Sequence, residues 1–195
     1  MKTVPAGIRC AKLIVMAISL ATASGCNAVL SKRPVGETPA KIIAKDWEGE
    51  WVTTDGSVKL TVIDADKGLL KAYWLDDEKG KPMMQSADIE LRESGEWMFA
   101  SINEKDTRTD GDKRVSKGYL WARVKNKDRQ IIIWTPDDKA FTRLVTSGVF
   151  PGKINDGGSV ILDELKPQHL KIITSGERGV LFEWDQPTVL MKVGK

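Results

Sequence analysis

The feature that most constrains this chain is a hydrophobic period of two. Val58, Leu60 and Val62 alternate with Lys59 and Thr61; Leu70, Ala72 and Trp74 with Lys71 and Tyr73; Ala87, Ile89 and Leu91 with Asp88 and Glu90. Successive side chains of a strand point to opposite faces, so each run turns one face to a core and the other to water. Similar runs predict further strands over 96–103, 117–125, 130–135, 159–163, 170–174, 180–184 and 188–193. Between the runs stand Asp55-Gly56, Lys79-Gly80, Ser94-Gly95, Asn126-Lys127-Asp128, Gly157-Gly158 and Glu177-Arg178-Gly179, which tolerate the positive φ of tight hairpins. Short strands joined this way predict an all-β, antiparallel fold, either an up-and-down barrel or a sandwich. One segment departs from the pattern. Over 137–147, Asp137 or Asp138 can cap a helix, Phe141, Leu144 and Val145 stand at i, i+3, i+4, and Gly148 stops it. This predicts one short helix, packed on the sheet or plugging a barrel end.

The first 25 residues follow different rules. Lys2, Arg9 and Lys12 form a positive head, and Leu13 to Ala23 is apolar apart from Ser19 and Thr22. A bilayer-spanning helix needs about 20 apolar residues and a secretory h-region about 7–15, so this run fits a signal peptide. Ala23-Ser24-Gly25-Cys26 resembles the lipobox of bacterial lipoproteins, although the family's usual Leu three before the cysteine is Ala23 here. The resemblance covers the first 26 residues. It implies cleavage before Cys26, acylation of that cysteine, and attachment to the membrane of the bacterial cell envelope. Asn27, where an Asp would favour inner-membrane retention, implies the outer membrane over the inner. The division expected is a signal over 1–25, a lipidated N-terminus and flexible tether over 26–45 carrying Pro34, Gly36 and Pro39, and a single β domain over 46–195.

Removing the signal changes the composition. Of the 30 Lys and Arg, three lie in it, and none of the 27 Asp and Glu does, so the remainder is formally neutral. No basic-patch argument for nucleic acid therefore survives, and no nucleic-acid partner is expected. Of the two cysteines, Cys10 falls in the signal and Cys26 at the lipidation position, which leaves no thiol for disulfides, zinc-thiolate sites or cysteine nucleophiles.

Seven tryptophans against two tyrosines is a skewed aromatic choice. Trp47-Glu48-Gly49-Glu50-Trp51 resembles the start of lipocalins and the wider calycin group, where a glycine allows close packing and a Trp closes the barrel base. That resemblance implies a base built from Trp47, Gly49 and Trp51, with Lys192 near the last strand as the basic side chain covering Trp51. The resemblance rests on this five-residue motif and the strand-rich pattern; the group's usual late helix has no counterpart. Trp74 shares the parity of Leu70, and Trp184 that of Phe182, so Leu70, Trp74, Phe182 and Trp184 are read as facing inward, lining a cavity for a lipid or other small apolar or amphipathic ligand. Trp121 shares its parity with Tyr119, Arg123 and Lys125 and is read as facing outward, an anchor for a partner.

Little points to catalysis. His169 is the single histidine, which excludes two-histidine metal sites, and neither a Gly-x-Ser-x-Gly elbow nor a phosphate-cradling loop is present. Asp106, Asp110 and Gly111 match part of a calcium loop, but Arg108 and Lys117 occupy positions that need oxygen ligands. The expectation is a protein without catalytic residues, metal or cofactor. It is either a ligand-binding barrel or a filled barrel or sandwich that meets an envelope protein through Trp121 or the charged loop at Asp106 to Arg114.

Overall fold

In the computed structural model the described residues are 28–54, 56–78, 81–107, 118–175 and 181–194, the side chains of residues 77, 78, 81 and 107 excepted. Residues 1–27, Cys26 among them, and residues 55, 79–80, 108–117, 176–180 and 195 lie outside them.

The alternating runs form a meander: β3 (Gly49–Thr53), β4 (Gly56–Asp64), β5 (Leu69–Glu78), β6 (Lys81–Ser94), β7 (Trp97–Asn103), β8 (Tyr119–Lys127) and β9 (Gln130–Trp134). Each pairs antiparallel with the next, and β12 (Thr188–Lys192) joins β9 back to β3. The result is a closed, antiparallel, up-and-down barrel of eight strands, the barrel alternative of the two expected architectures. Closure removes the exposed edges of an open sheet. One end of the barrel carries the β4–β5, β6–β7 and β8–β9 turns, and the chain enters β3 and leaves β12 there.

Two apolar cores share the barrel wall. Inside lie Trp51, Val58, Leu60, Leu70, Ala72, Trp74, Ala87, Ile89, Leu91, Ala122, Val124, Ile131, Ile133 and Leu190 in one buried cluster. The period of two placed most of these correctly. A second cluster forms outside, where the excursion between β9 and β12 folds over β7 and β8. It contains α2 (Asp138–Thr146), β10 (Gly152–Ile154), β11 (Val160–Leu162) and α3 (Pro167–Ile173). The Asp137 carboxylate accepts from the Ala140 N–H at 2.7 Å, and Phe141 is fully buried, as the cap and spacing predict. Burying each large apolar side chain contributes about 1.5–3 kcal/mol, so both clusters matter to stability.

Three sequence expectations are corrected. The segment 28–45 is no tether. β1 (Val29–Ser31) pairs with β8 and β11, β2 (Thr38–Pro39) pairs with β6, and Val35 and Ala40 are buried. Pro34 and Gly36 instead turn the chain between two strands; a Cβ on Gly36 would lie 2.5 Å from that of Arg92. Residues 170–174, expected as a strand, lie mostly in α3, where Pro167 opens the first turn and Leu170 and Ile173 bury at i, i+3. His169 caps that helix, its Nδ1 accepting from the Lys166 N–H at 2.9 Å, and its ring lies against Phe150. The strand expected over 180–184 is absent from its described part, where Phe182 makes only an isolated bridge with Pro136.

Candidate functional site

The end of the barrel where β3 begins is closed by the Trp47-x-Gly49-x-Trp51 stretch. α1 (Ala44–Trp47) crosses that end, and Trp47 is buried. The Trp51 Nε1–H donates to the Trp47 carbonyl at 2.8 Å, which ties the fully buried indole to the helix above it. Gly49 has φ +125°, a backbone region that side chains other than glycine's strain to adopt. A Cβ there would also come within 3.4 Å of Lys192 Cε. Lys192 Nζ lies 5.3 Å from the Trp51 ring centroid and donates to the Lys45 carbonyl. The structure therefore brings Trp47, Gly49, Trp51 and Lys192 together in one assembly.

Beside this base opens a cleft of about 770 Å³, half enclosed, between the α1 segment, the β6–β7 and β8–β9 turns and the end of β12. Lys41, Lys45, Arg123, Lys125, Lys127, Arg129 and Lys192 line it, against only Asp46, Glu96 and Asp128. In a chain whose remaining charge balances once residues 1–25 are set aside, this is a concentrated positive field, and a recessed wall focuses it. The cleft is also partly apolar: Ile43 is 61% exposed and Val193 47% exposed, and both line it with Trp97 and Met98. Such a surface can hold an anionic group and an apolar body together.

Arg123 sets one wall. Its guanidinium lies 3.8 Å from the Trp97 ring centroid, 4.9 Å from that of Trp184 and 5.1 Å from that of Trp134. Each face-on contact of this kind contributes about 0.5–1 kcal/mol at an exposed site. Trp97 and Trp184 themselves pack nearly perpendicular, 5.9 Å apart. The excursion that supplies Trp184 thus supports the cleft from outside the barrel.

The four side chains expected to line one cavity divide between the two cores. Leu70 and Trp74 are buried in the barrel interior, whereas Phe182 is buried, and Trp184 packed, in the outer cluster beyond β7 and β8. The inward assignment of Phe182 and Trp184 fails because the parity argument assumed a strand where the chain makes a turn. Leu70, Trp74, Phe182 and Trp184 are all absent from the cleft lining. Trp121 does face outward but is 1% exposed, lying among the rings of Phe99, Phe141 and Phe182. It cannot act as a surface anchor. Of the charged loop, Asp106 is described, and its carboxyl is pushed above the usual aspartate range, chiefly by burial; residues 108–114 lie outside the described residues. The cleft itself had a legible signal that the sequence reading missed: Arg123, Lys125, Lys127 and Arg129 recur at every second position along one face of β8 and its turn.

Among the described residues no cluster of three or more His, Cys, Asp or Glu side chains is placed to hold a metal ion, and no helix is long and apolar enough to cross a membrane. The class defined by fold and site is a closed eight-stranded antiparallel barrel with a basic, partly apolar cleft at one end. Comparison with known protein families, characterised proteins and solved structures gives no match to this chain.

Proposed function

We propose that this chain is a lipid-anchored protein of the bacterial cell envelope, held by acyl groups on Cys26 in the outer rather than the inner membrane, and that its barrel is a non-catalytic module binding an amphipathic anion. The positive head, the eleven-residue apolar run and the Ala-Ser-Gly-Cys stretch support the anchor. Two or more acyl chains make such an anchor stable, at about 0.8 kcal/mol per buried methylene. Metabolic labelling with palmitate is expected to mark the wild type and to leave a Cys26→Ser variant unmarked. Equal label on both would overturn the anchor.

The observation that carries the binding reading is the cleft, whose volume of about 770 Å³ falls in the usual range for ligand sites, roughly 300–1,000 Å³. Its mixture of exposed Ile43 and Val193 with seven cations favours an amphiphile over a purely apolar ligand. Trp47 and Trp97 line the cleft and serve as reporters. Titration with dodecyl phosphate is expected to shift tryptophan emission, and Lys125→Glu is expected to weaken binding about five- to tenfold. An exposed charge contact contributes roughly 0.2–1 kcal/mol, and reversal turns it into repulsion. An unchanged spectrum over the full titration would remove the reading.

A second reading, a filled barrel that meets an envelope protein, is favoured by the interior, where Leu70, Trp74 and their neighbours pack against one another. Recovery of a partner from envelope extracts, with no response to amphiphiles, would select it.

A further inference from the structure

We infer that the cleft end of the barrel is a membrane-docking face, seated on anionic phospholipid headgroups of the same bilayer that holds the Cys26 anchor. This rests on the lipid-anchor reading above and adds an orientation and a ligand class to it.

The first argument is the direction of β1. It runs antiparallel to β8, with Leu30 opposite Leu120 and Ser31 opposite Tyr119. β8 runs toward the cleft end, so β1, followed backwards from Ser31 to Val29, also heads toward the cleft end. Ala28 stands two residues from Cys26, a reach of at most about 7 Å at 3.3–3.6 Å per residue. Because 28–45 is folded onto the barrel, no long linker separates anchor from domain.

The same register sets the depth. From Leu30, Cys26 lies at most about 14 Å away, whereas Lys127 at the rim stands about 23 Å along β8 from Leu120. The rim therefore projects past the anchor on that side of the barrel. A bilayer adds about 5–8 Å of headgroup layer to each side of its hydrocarbon core. A barrel standing on this end puts its rim into that layer; the alternative is a barrel lying on its side.

Charge decides between the two. The outer layer over residues 135–175, which forms the flank on the β1 side, carries five Lys and Arg against five Asp and Glu, which balance. The cleft itself is lined by seven cations against three acids, together with exposed Ile43 and Val193. Around it at the same end stand Glu48 and Glu50 where β3 begins, Glu93 before the β6–β7 turn, and Asp64, Asp66 and Lys67 at the β4–β5 turn, with Asp64 bonded to Lys67 at 2.8 Å, so the positive excess is concentrated in the cleft. Basic residues held close to an anionic leaflet are attracted to it, about fivefold in affinity for each, within a Debye length of about 8 Å at physiological salt. The apolar side chains at the same rim then reach the acyl boundary.

The test uses the acylated protein reconstituted into vesicles of phosphatidylcholine alone or with 30% phosphatidylglycerol, footprinted with a water-soluble amine-reactive reagent. Lys45 is expected to be modified at least fivefold more slowly in the anionic vesicles, while Lys139 on α2 reacts alike in both; 0.5 M salt should abolish the difference. The Lys41→Glu/Lys125→Glu variant, its fold checked by tryptophan emission, should lose the protection. If the protein floats with neutral vesicles yet Lys45 reacts like Lys139 throughout, docking is overturned and the anchor stands. If it does not float with neutral vesicles, the anchor falls and this orientation with it.

Discussion

Replacing Trp51 with alanine is expected to lower the stability of the barrel by about 3–5 kcal/mol, read as a shift of the urea midpoint at unchanged m-value. The indole is fully buried and is the largest side chain to be so in the barrel interior. Its removal loses transfer free energy and leaves a cavity that strands held on both sides cannot collapse into, which places it in the upper class of large-to-small changes. It also removes the Nε1–H donor from the Trp47 carbonyl, so α1 loses a hydrogen bond to the barrel. Domains of this size are stable by only about 5–15 kcal/mol, so the loss is a large fraction of the total. Lys192→Met is the informative control. It keeps an unbranched apolar stem against Gly49 and Trp51 and deletes the ammonium 5.3 Å from the ring together with its hydrogen bond to the Lys45 carbonyl, so it should cost only about 1–2 kcal/mol. A Trp51→Ala midpoint within 1 kcal/mol of wild type would mean that the base is not sealed by this residue.

The contrast between Trp51 and Trp184 shows what the sequence could and could not reveal. Trp51 sits in a stretch whose strand, glycine and neighbouring aromatic are all local, and its place in the structure follows from them. Phe182 and Trp184 looked equally regular, but period two has meaning only inside a strand, and after Leu181 the chain turns. The same limit explains α3: Leu170, Ile172 and Ile173 suit a strand by composition, while Pro167 and the i, i+3 spacing of Leu170 and Ile173 suit a helix, and the outer core selects the helix. Trp121 shows a different limit. Its parity correctly turned it outward, but parity says which face a side chain takes and not what covers that face. Strands β7 and β8 are apolar on both faces, with Ala100, Ile102, Ala122 and Val124 inward and Trp97, Phe99 and Trp121 outward. That doubling is visible in the sequence as Leu120-Trp121-Ala122, three consecutive buried residues, and it marks a strand with a layer on each side. The folding of 28–45 was hidden by the same logic, since a three-residue strand and a two-residue one gain their partners only from distant parts of the chain.

Because β7 and β8 serve both cores, Phe141→Ala is expected to destabilise the whole protein by about 3–5 kcal/mol and to leave a single unfolding transition. Phe141 is fully buried, packing edge-on to Trp121 at 5.6 Å and against Phe150 at 5.5 Å, so it joins α2 to the barrel wall and to the segment after the helix. Its loss opens a cavity between rigid neighbours. If the outer layer were an independent unit, tryptophan emission and far-ultraviolet circular dichroism would separate into two midpoints, with the barrel strands surviving the first. Coincident curves are expected instead, since Phe99 and Trp121 alternate along β7 and β8 with residues of the interior and cannot lose their cover without disturbing both faces. The same variant tests how the cleft is built. Trp97, Trp134 and Trp184 all stand beside Arg123 and belong to or pack on the outer cluster, so loosening that cluster should weaken the arginine's hold on its aromatic neighbours. Dodecyl phosphate should then bind more weakly to Phe141→Ala even under conditions where the variant remains folded. An unaltered affinity would show that the cleft depends on the barrel end alone, and that the outer core contributes stability without shaping the site.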